Sequence, residues 1–291
     1  MHIRTALLML PLLALFPANH ATPVRAQGAV GLDADAVSAK RKINLAGRQR
    51  MLTQFMAKAT CYVSLGVDEK AQISEVYSTH DLFEQTLGDL AKGSTELKLL
   101  PEKDPDVLAA IDNVRKDWVL YSRAVMQGDL KTIIAQNVVV LGASNDAVTV
   151  LQKKHGAGGK VSPEIAAAIN ISGRQRMLSQ KASKEHCLMA AGQDVEANRA
   201  NLKGTIALFE ASLRALRDGD KSMGLAPAPA KEILDLIKEG EEEWLKFREI
   251  LDRAVKGAKP SLEEAATAAR LNTTVLEIMN DIVELYETRG G

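Results

Sequence analysis

Arginine is the side chain in this sequence with the clearest capacity for chemistry, because one short arginine motif occurs twice. Residues 44–54 read NLAGRQRMLTQ and residues 170–180 read NISGRQRMLSQ, with eight of eleven positions identical. On a helix, which turns by about 100° per residue, one stripe of each run carries a glycine, an arginine and a glutamine. The residues on this stripe are Gly47, Arg50 and Gln54 in the first run and Gly173, Arg176 and Gln180 in the second. Arg48 and Arg174 face roughly the opposite side.

The chemistry open to Arg50 and Arg176 is the recognition of an anion. A guanidinium group is planar and offers five donors, which suits planar or multi-oxygen anions. The stretch 40–58 contains six basic residues and no acidic one, and the stretch 165–184 contains four basic residues and again no acid. An arginine that faces a helical interface without an acid on its own helix needs a partner, because an unpaired buried charge is costly.

The residues alone leave three environments open for these two arginines. They bind an anion, they pair with an acid from another helix such as Glu84, or they lie on a solvated helix face. Gly47 and Gly173 add one indication, because a glycine inside a helix costs up to about 1 kcal/mol relative to alanine. Such a glycine is expected where another helix backbone or a ligand approaches closely.

The repeat extends far beyond the motif and indicates that the chain contains one module twice. An offset of 126 positions relates the two motifs, and the same offset pairs Trp118 with Trp244, the two tryptophans of the chain. Past Trp244 the offset grows to 135, which pairs Asn145 with Asn280. The change falls around residues 258–261, where a loop between helices would tolerate insertion.

The elements that must position the motif are predicted to be helices. Aromatic residues make up only 4% of the chain while Ala, Leu, Lys and Glu abound, which favours helices over sheets. Apolar periodicity and helix-end signals predict four helices in each copy, at 35–65, 69–92, 106–127 and 130–154, then 163–191, 195–218, 230–256 and 262–289. Short connections between antiparallel helices predict an all-α fold of two tandem four-helix bundles.

Local signals fix several predicted helix ends. Asp129 is placed to cap the fourth helix, Ser162 and Pro163 are typical of the start of the fifth, and Ser261 with Glu264 forms a capping box for the last. The glycine-rich segment 155–160 is predicted to be the linker between the copies.

Two equivalent aromatic pairs are predicted to anchor the cores of the two bundles. They are Trp118 with Phe83 in the first copy and Trp244 with Phe209 in the second.

Residues 1–26 are predicted to be a cleaved signal peptide. A basic start precedes an apolar run at 6–16 that is too short for a membrane helix, and Val24-Arg25-Ala26 is an acceptable cleavage site. A retained anchor is the alternative interpretation. No later stretch reads as a membrane span, so we expect an exported, soluble protein of a bacterial periplasm. The net charge is zero, so the overall charge does not indicate a nucleic-acid partner.

The motif with its preceding isoleucine, at 43–54 and 169–180, resembles the P-box of bacterial nitrate/nitrite sensor domains. It is more similar still to the N-terminal domain of type IV pilus chemotaxis transducers, the PilJ-type sensor domain. The resemblance covers the chain as two copies, at 27–155 and 162–291. It implies a periplasmic four-helix bundle of a membrane receptor, with the P-box on the first helix.

The resemblance also implies which residues bind a ligand. In these families two subunits bring their P-boxes together across a dimer axis, and in the nitrate-binding members one anion lies between an arginine of each subunit. The implied ligand-binding residues are, by position, Arg50, Arg176, Gly47, Gly173, Gln54 and Gln180. The tandem copies then imply a pseudo-twofold pair in which one chain supplies both halves of the site.

Cys61 and Cys187, the only cysteines, lie eleven residues after Arg50 and Arg176. If the first helices of the two copies cross about a pseudo-twofold axis, the two thiols can meet as a disulfide in an oxidising compartment. Two buried free thiols, one in each bundle, are the alternative.

Other chemistry has little support in the sequence. His186 fits no zinc-ligand spacing, and no Ser-His-Asp arrangement, phosphate loop or pair of catalytic carboxylates is recognised. We therefore expect no metal, no cofactor and no enzymatic activity.

The leading hypothesis for function is a periplasmic sensory or solute-binding protein. It would hold a small oxyanion, nitrate or nitrite first, between the two motif helices and signal through a membrane-bound receptor or sensor protein, because no HAMP, kinase or methyl-accepting segment is recognised. The alternative is a ligand-free interaction or adaptor module associated with the envelope or with pili.

Overall fold

The computed structural model describes residues 33–289, so the predicted signal peptide at 1–26 lies outside the described residues. The helices of the first copy are α1 (Ala34–Ser64), α2 (Glu69–Lys92), α3 (Pro105–Gln127) and α4 (Leu130–Ala157). The helices of the second copy are α5 (Pro163–Ala190), α6 (Val195–Asp218), α7 (Lys231–Val255) and α8 (Leu262–Arg289). A single 3₁₀ turn, Lys221–Met223, lies between α6 and α7 and was not predicted.

The prediction was wrong at the end of α4, which continues three residues past the predicted 154. The segment 155–160, predicted to be a linker, therefore begins as helix. Packing explains the difference, since His155 is buried with its Nε2 3.3 Å from the Glu102 carboxylate. A β-carbon on Gly156 would lie 3.6 Å from the β-carbon of Ala166, so the end of α4 packs against the start of α5.

The predicted helix caps are confirmed. The Asp129 carboxylate accepts from the backbone N–H of Thr132 at 3.1 Å, and the Ser162 hydroxyl accepts from the backbone N–H of Ile165 at 3.2 Å. Ser261 and Glu264 form the reciprocal capping box, with N–H to side-chain oxygen distances of 2.9 and 3.1 Å.

The two aromatic pairs anchor the cores as predicted. Trp118 stacks on Phe83 with ring centroids 4.0 Å apart, and Trp244 stacks on Phe209 at 3.8 Å. All four side chains are buried. The equivalent pairs occupy equivalent places, which confirms that each copy is one module of four helices.

Glu84 and Glu210 hold these tryptophans and do not pair with the motif. Each carboxylate accepts from the indole Nε1 of its own copy, at 3.0 Å for Glu84 and 3.2 Å for Glu210. The sequence had left Glu84 open as a partner for Arg50, and the structure assigns it elsewhere.

The two bundles are joined by their first helices. α1 packs against α2 and α4 of its own copy and against α5, while α5 packs against α6, α8 and α1. Both helices are therefore enclosed on nearly every side, and their polar residues are buried with the apolar ones. This arrangement places the two motifs in the middle of the molecule, where any ion between them is shielded from water.

α4 differs from the other helices in composition. Within the described residues it is the one helix long and apolar enough, by length and composition, to cross a membrane. In its most apolar stretch, 33% of the residues are buried inside the structure. Its Val138 and Val139 are 72% and 46% exposed. The first copy therefore presents an apolar face between α3 and α4.

Candidate functional site

The two motif arginines meet where α1 crosses α5. A β-carbon placed on Gly47 would lie 3.3 Å from Nη2 of Arg50 and 3.9 Å from Nη2 of Arg176. One placed on Gly173 would lie 3.3 Å from Nη2 of Arg176 and 3.8 Å from Nη2 of Arg50. Both guanidinium groups therefore converge on the two glycines, which leave space that any larger residue would narrow. We call Arg50 and Arg176 the arginine layer.

Arg50 is held by neutral oxygens from both copies. Its Nη2 donates to the backbone carbonyl of Asn170 at 3.1 Å, and its Nη1 donates to Oδ1 of Asn145 at 3.2 Å. Asn170 belongs to α5, so this hydrogen bond crosses between the copies. Asn145 belongs to α4 of the first copy.

Arg176 repeats this pattern in the opposite direction. Its Nη2 donates to the backbone carbonyl of Asn44 at 3.2 Å and to Oδ1 of the same residue at 2.7 Å. Its Nη1 donates to Oδ1 of Asn280, on α8, at 3.5 Å. Asn44 and Asn280 are the repeat equivalents of the residues that hold Arg50, so the site has pseudo-twofold symmetry.

The charges of the arginine layer are buried without a direct acidic partner. Arg50 is 1% exposed and Arg176 is 3% exposed. Within residues 33–289 neither arginine forms an ion pair, and Nε of Arg176 has no hydrogen-bond partner. Burial of two cations without an acid is unfavourable unless an anion joins them.

Burial also lowers the pKa of both guanidinium groups. The pKa of Arg50 falls to about 9, because of desolvation first and then of the charges on Arg174 and Arg176. The pKa of Arg176 falls to about 9, because of desolvation first and then of Arg48, with Glu287 acting in the opposite sense. Both shifts mean that burial disfavours the charged form of each guanidinium group.

Three other basic residues near the motifs have acidic partners, whereas Arg48, Lys58 and Lys184 donate to neutral oxygens among the described residues. Lys42 pairs with Glu102 at 2.7 Å, Arg41 pairs with Glu287, and Lys181 pairs with Glu185. The lack of acids within residues 40–58 and 165–184 therefore does not mean that every basic residue there lacks an acidic partner.

Arg48 does not take part in the pair at the glycines. Its Nη2 donates to the Thr86 hydroxyl on α2 at 3.2 Å. It still affects the site, because its charge lowers the pKa of Arg176.

Gln54 and Gln180 are fully buried, but no hydrogen bond joins either of them to an arginine among the described residues. Gln54 accepts from Nζ of Lys184 at 2.7 Å. Oε1 of Gln180 has no partner within the described part of the chain. These glutamines lie about one turn beyond the arginines, so the structure does not bring them into the same cluster.

Sequence reasoning missed a second pair of buried cations, Lys58 and Lys184, which we call the lysine layer. Nζ of Lys58 donates to Oδ1 of Asn272 at 3.3 Å, and Nζ of Lys184 donates to Oδ1 of Asn137 at 2.7 Å. Burial lowers the pKa of each lysine to about 8. The offset of 126 relates these lysines as it relates the arginines, and that equivalence was the available signal.

Sequence reasoning also missed the asparagines that hold the arginines. Asn44 and Asn170 open the two motif runs, while Asn145 and Asn280 were visible only as an equivalent pair in the repeat. Because they lie far from the motif in sequence, their role depends on how α4 and α8 pack.

Cys61 and Cys187 are joined by a disulfide between α1 and α5, with their Cα atoms 6.2 Å apart. Of the two states that the sequence left open, the structure has the bonded one. Both sulfurs are buried beside Tyr62 and Leu188. The disulfide lies about 16 Å along the helices from the arginine layer, at ~1.5 Å per residue.

A surface cleft of about 410 Å³ leads to Arg176. Asn44 and Asn280, two of its lining residues, also hold the arginine layer, and Arg41 and Glu287 form an ion pair in the cleft wall. Glu287 also accepts from Nδ2 of Asn44 at 2.5 Å. Of the two arginines in the arginine layer, Arg176 lines this cleft.

The family comparison matches both copies. The family described as "Type IV pili methyl-accepting chemotaxis transducer N-term" (PilJ) matches residues 34–142 and 161–271. The two matches together cover more than half of the chain.

Comparisons with individual proteins match about one copy. The methyl-accepting chemotaxis protein McpN of Pseudomonas aeruginosa is 31% identical over 131 residues, which is 45% of this chain and 23% of McpN. The chain therefore corresponds to less than a quarter of that relative. A solved structure of the ligand-binding domain of the P. aeruginosa nitrate receptor McpN is 28% identical, with a TM-score of 0.37, and the match covers 43% of this chain and 97% of that one.

Proposed function

The chain belongs to the PilJ family in two copies, and from that premise we propose that it is a sensory protein that binds one small oxyanion between Arg50 and Arg176. The observation that supports the proposal is the convergence of these two arginines on Gly47 and Gly173 without an acid. An anion at this point would neutralise both cations at once. Water is excluded there, so the attraction would be stronger than at the surface.

Nitrate and nitrite suit two converging guanidinium groups by their shape and charge. Both are small, flat and singly charged, and two guanidinium forks can donate to their oxygens in one plane. The P-box resemblance of both motifs supports the same choice. Nη2 of Arg176 already donates to two oxygens of Asn44, so an anion there would take the place of one of them or accept from Nε, which has no partner among the described residues.

The proposed mechanism of sensing is a change in how α1 packs against α5. An anion favours whichever arrangement holds Arg50 and Arg176 closer together, and it shifts the population only by its preference for that arrangement. Asn145 and Asn280 connect the arginines to α4 and α8, so the change would reach the outer helices. We propose that a membrane-bound receptor or sensor protein reads it, and that the chain is exported to the periplasm.

Calorimetry and thermal unfolding with nitrate, nitrite, sulfate and chloride test the proposal. We expect one oxyanion to raise the unfolding temperature with saturable binding, and Arg50→Ala and Arg176→Ala each to abolish the effect. Arg115→Ala is the matched control, because Arg115 is exposed and pairs only with Asp112 on α3. Absence of any oxyanion effect on the native protein at tens of millimolar would overturn the proposal.

A ligand-free interaction module is the second candidate, and the exposed apolar face of α4 favours it. Val138 and Val139 are exposed on this helix, while their repeat equivalents on α8 are Thr273 and Thr274. An adaptor would bind a partner through such a face and show no oxyanion response. The same calorimetry therefore separates the two candidates.

A further inference from the structure

The first copy contains a small apolar pocket that is remote from the arginine layer. It has a volume of about 210 Å³ and lies between α1, α2 and α3. Its apolar lining residues are Val63, Ile73, Val76, Tyr77, Val125 and Met126. Ile73, Tyr77 and Met126 are 37%, 46% and 44% exposed, which makes its rim unusually apolar for a surface in water.

The second copy has larger residues at five of the equivalent positions, while Lys203 replaces Tyr77 and Asp252 replaces Met126 at the rim. At the offset of 126 the replacements are Thr60 by His186, Val63 by Met189, Ile73 by Arg199, Val76 by Leu202 and Val125 by Leu251. Met189, Leu202 and Leu251 are 0% exposed and His186 is 1% exposed. The second copy therefore fills with its own side chains the space that the first copy leaves open.

Arg199 shows what chemistry this space accepts. Its Nη1 donates to the carbonyl of Ala254 in the last turn of α7 at 2.7 Å, and its Nη2 pairs with the exposed Glu196 at 3.3 Å, where the first copy has Lys70. The end of a helix carries carbonyl groups without backbone donors and a partial negative charge, so a cation is favoured there. The second copy thus supplies an apolar stem and a cationic head from its own chain.

The first copy also has carbonyl groups at the end of a helix, but it has no arginine at the position of Arg199. α3 ends at Gln127, nine residues after Trp118, whereas α7 continues for eleven residues after Trp244. Among the described residues, no backbone N–H donates to the carbonyls of Met126 and Gln127, and both residues line the pocket.

We propose that this pocket binds a small organic cation, with an unbranched apolar stem and a guanidinium or ammonium head. The stem packs against the valines of α1, α2 and α3, and the head donates to the carbonyls at the end of α3. The volume is adequate, because a dry cavity of roughly 150 Å³ already holds benzene. The ligand takes the place that Arg199 occupies in the second copy.

This site is independent of the proposed anion site. It shares no residue with the arginine layer, and Thr60, its lining residue on α1, lies about 15 Å along the helix from Arg50 at ~1.5 Å per residue. Loss of one binding activity therefore leaves the other open to measurement.

The test uses n-propylguanidinium, which reproduces the arginine side chain, with NMR titration of the full chain. We expect saturable shifts at Ile73, Val76 and Met126, and at least about tenfold weaker binding in Ile73→Arg, which installs the residue of the second copy. Val138→Arg is the matched control, because it places the same side chain on exposed α4 outside the pocket. Arg199→Ala should open a second site for the same probe in the second copy.

Three outcomes would overturn the proposal. They are no saturable binding of the probe to the native chain, equal binding by Ile73→Arg, and binding of n-butanol as tight as that of n-propylguanidinium. The last result would mean that the pocket selects an apolar group alone. Shifts that follow protein concentration instead of probe concentration would mean that the rim is a self-association surface.

Discussion

The arginine layer and the lysine layer lie on the same two helices and are both buried, yet they are built differently. Arg50 and Arg176 converge on one point at the helix crossing, and their cationic heads share that space. Lys58 and Lys184 each donate to an asparagine of the opposite copy. Burial of charge is common to both layers, so the convergence of Arg50 and Arg176 is the feature on which the proposed anion site rests.

Removal of the disulfide is expected to have the largest effect. Cys61→Ser with Cys187→Ser opens a loop of 126 residues, which should lower the free energy of unfolding by about 4–5 kcal/mol. The lysine layer is only three residues from Cys61, so hydrogen exchange should rise more at Lys58 than at Arg50. Urea unfolding measures the first effect, and an unchanged midpoint would contradict it.

Replacement of the arginines or of the lysines by methionine should show which of the two layers binds the anion. Arg50→Met with Arg176→Met should weaken nitrate binding at least about a hundredfold, because both donors are lost. Lys58→Met with Lys184→Met should change nitrate affinity by less than about threefold. If the lysine variant loses binding as fully as the arginine variant, the anion is not held by the arginine layer alone. Calorimetry provides both values.

The lysine layer should make stability depend on pH. Because burial lowers the pKa of Lys58 and Lys184 to about 8, the unfolded chain binds more protons than the folded chain between about pH 8 and 10. Stability should therefore rise with pH over that window by a few kcal/mol, since each lysine contributes about 1.4 kcal/mol per pH unit. Above about pH 10 two contributions oppose each other. Burial raises the pKa of Tyr62 and Tyr121, so only the unfolded chain ionises them and stability falls, whereas the lowered pKa of Arg50 and Arg176 continues to raise stability. Urea unfolding of Lys58→Met with Lys184→Met should show a flatter slope.

The smallest effect on stability is expected at the glycines of the crossing. Alanine at position 173 would place its β-carbon 3.3 Å from Nη2 of Arg176, and the guanidinium can move aside by a few tenths of an ångström. Better helix propensity offsets the strain, so Gly173→Ala should change the free energy of unfolding by less than about 1 kcal/mol. Nitrate affinity should still fall by about three- to tenfold. Equal affinity in calorimetry would show that the anion does not lie against this glycine.

Much of the fold was predictable because its signals are local. Gly66, Gly93 and Gly128 follow the ends of three helices, and the capping box at Ser261 fixed the start of α8. The end of α4 was not predictable, because its glycine-rich sequence is held in a helix by packing against α5.

The site was predictable only where the motif itself carried it. The pairing of Arg50 with Arg176 came from the resemblance, and the glycines at the crossing agree with close approach of the helices. Periodicity placed Gln54 on the same stripe as Arg50, but a stripe extends along the helix, and Gln54 contacts Lys184 instead. The asparagine partners come from helices α4 and α8, whose rotation about their axes is set by the whole bundle.

The packing of α1 against α5 within one chain has a consequence for dose response. A site shared between separate subunits exists only when they associate, so its occupancy depends on how much protein is present. In this chain both motif arginines belong to one polypeptide, so their effective concentration relative to each other is fixed by the covalent connection between the copies. Dilution could not take the proposed anion site apart, and the site would bind one ligand per polypeptide. Half-saturation should then report the anion level alone, whatever the expression level of the protein.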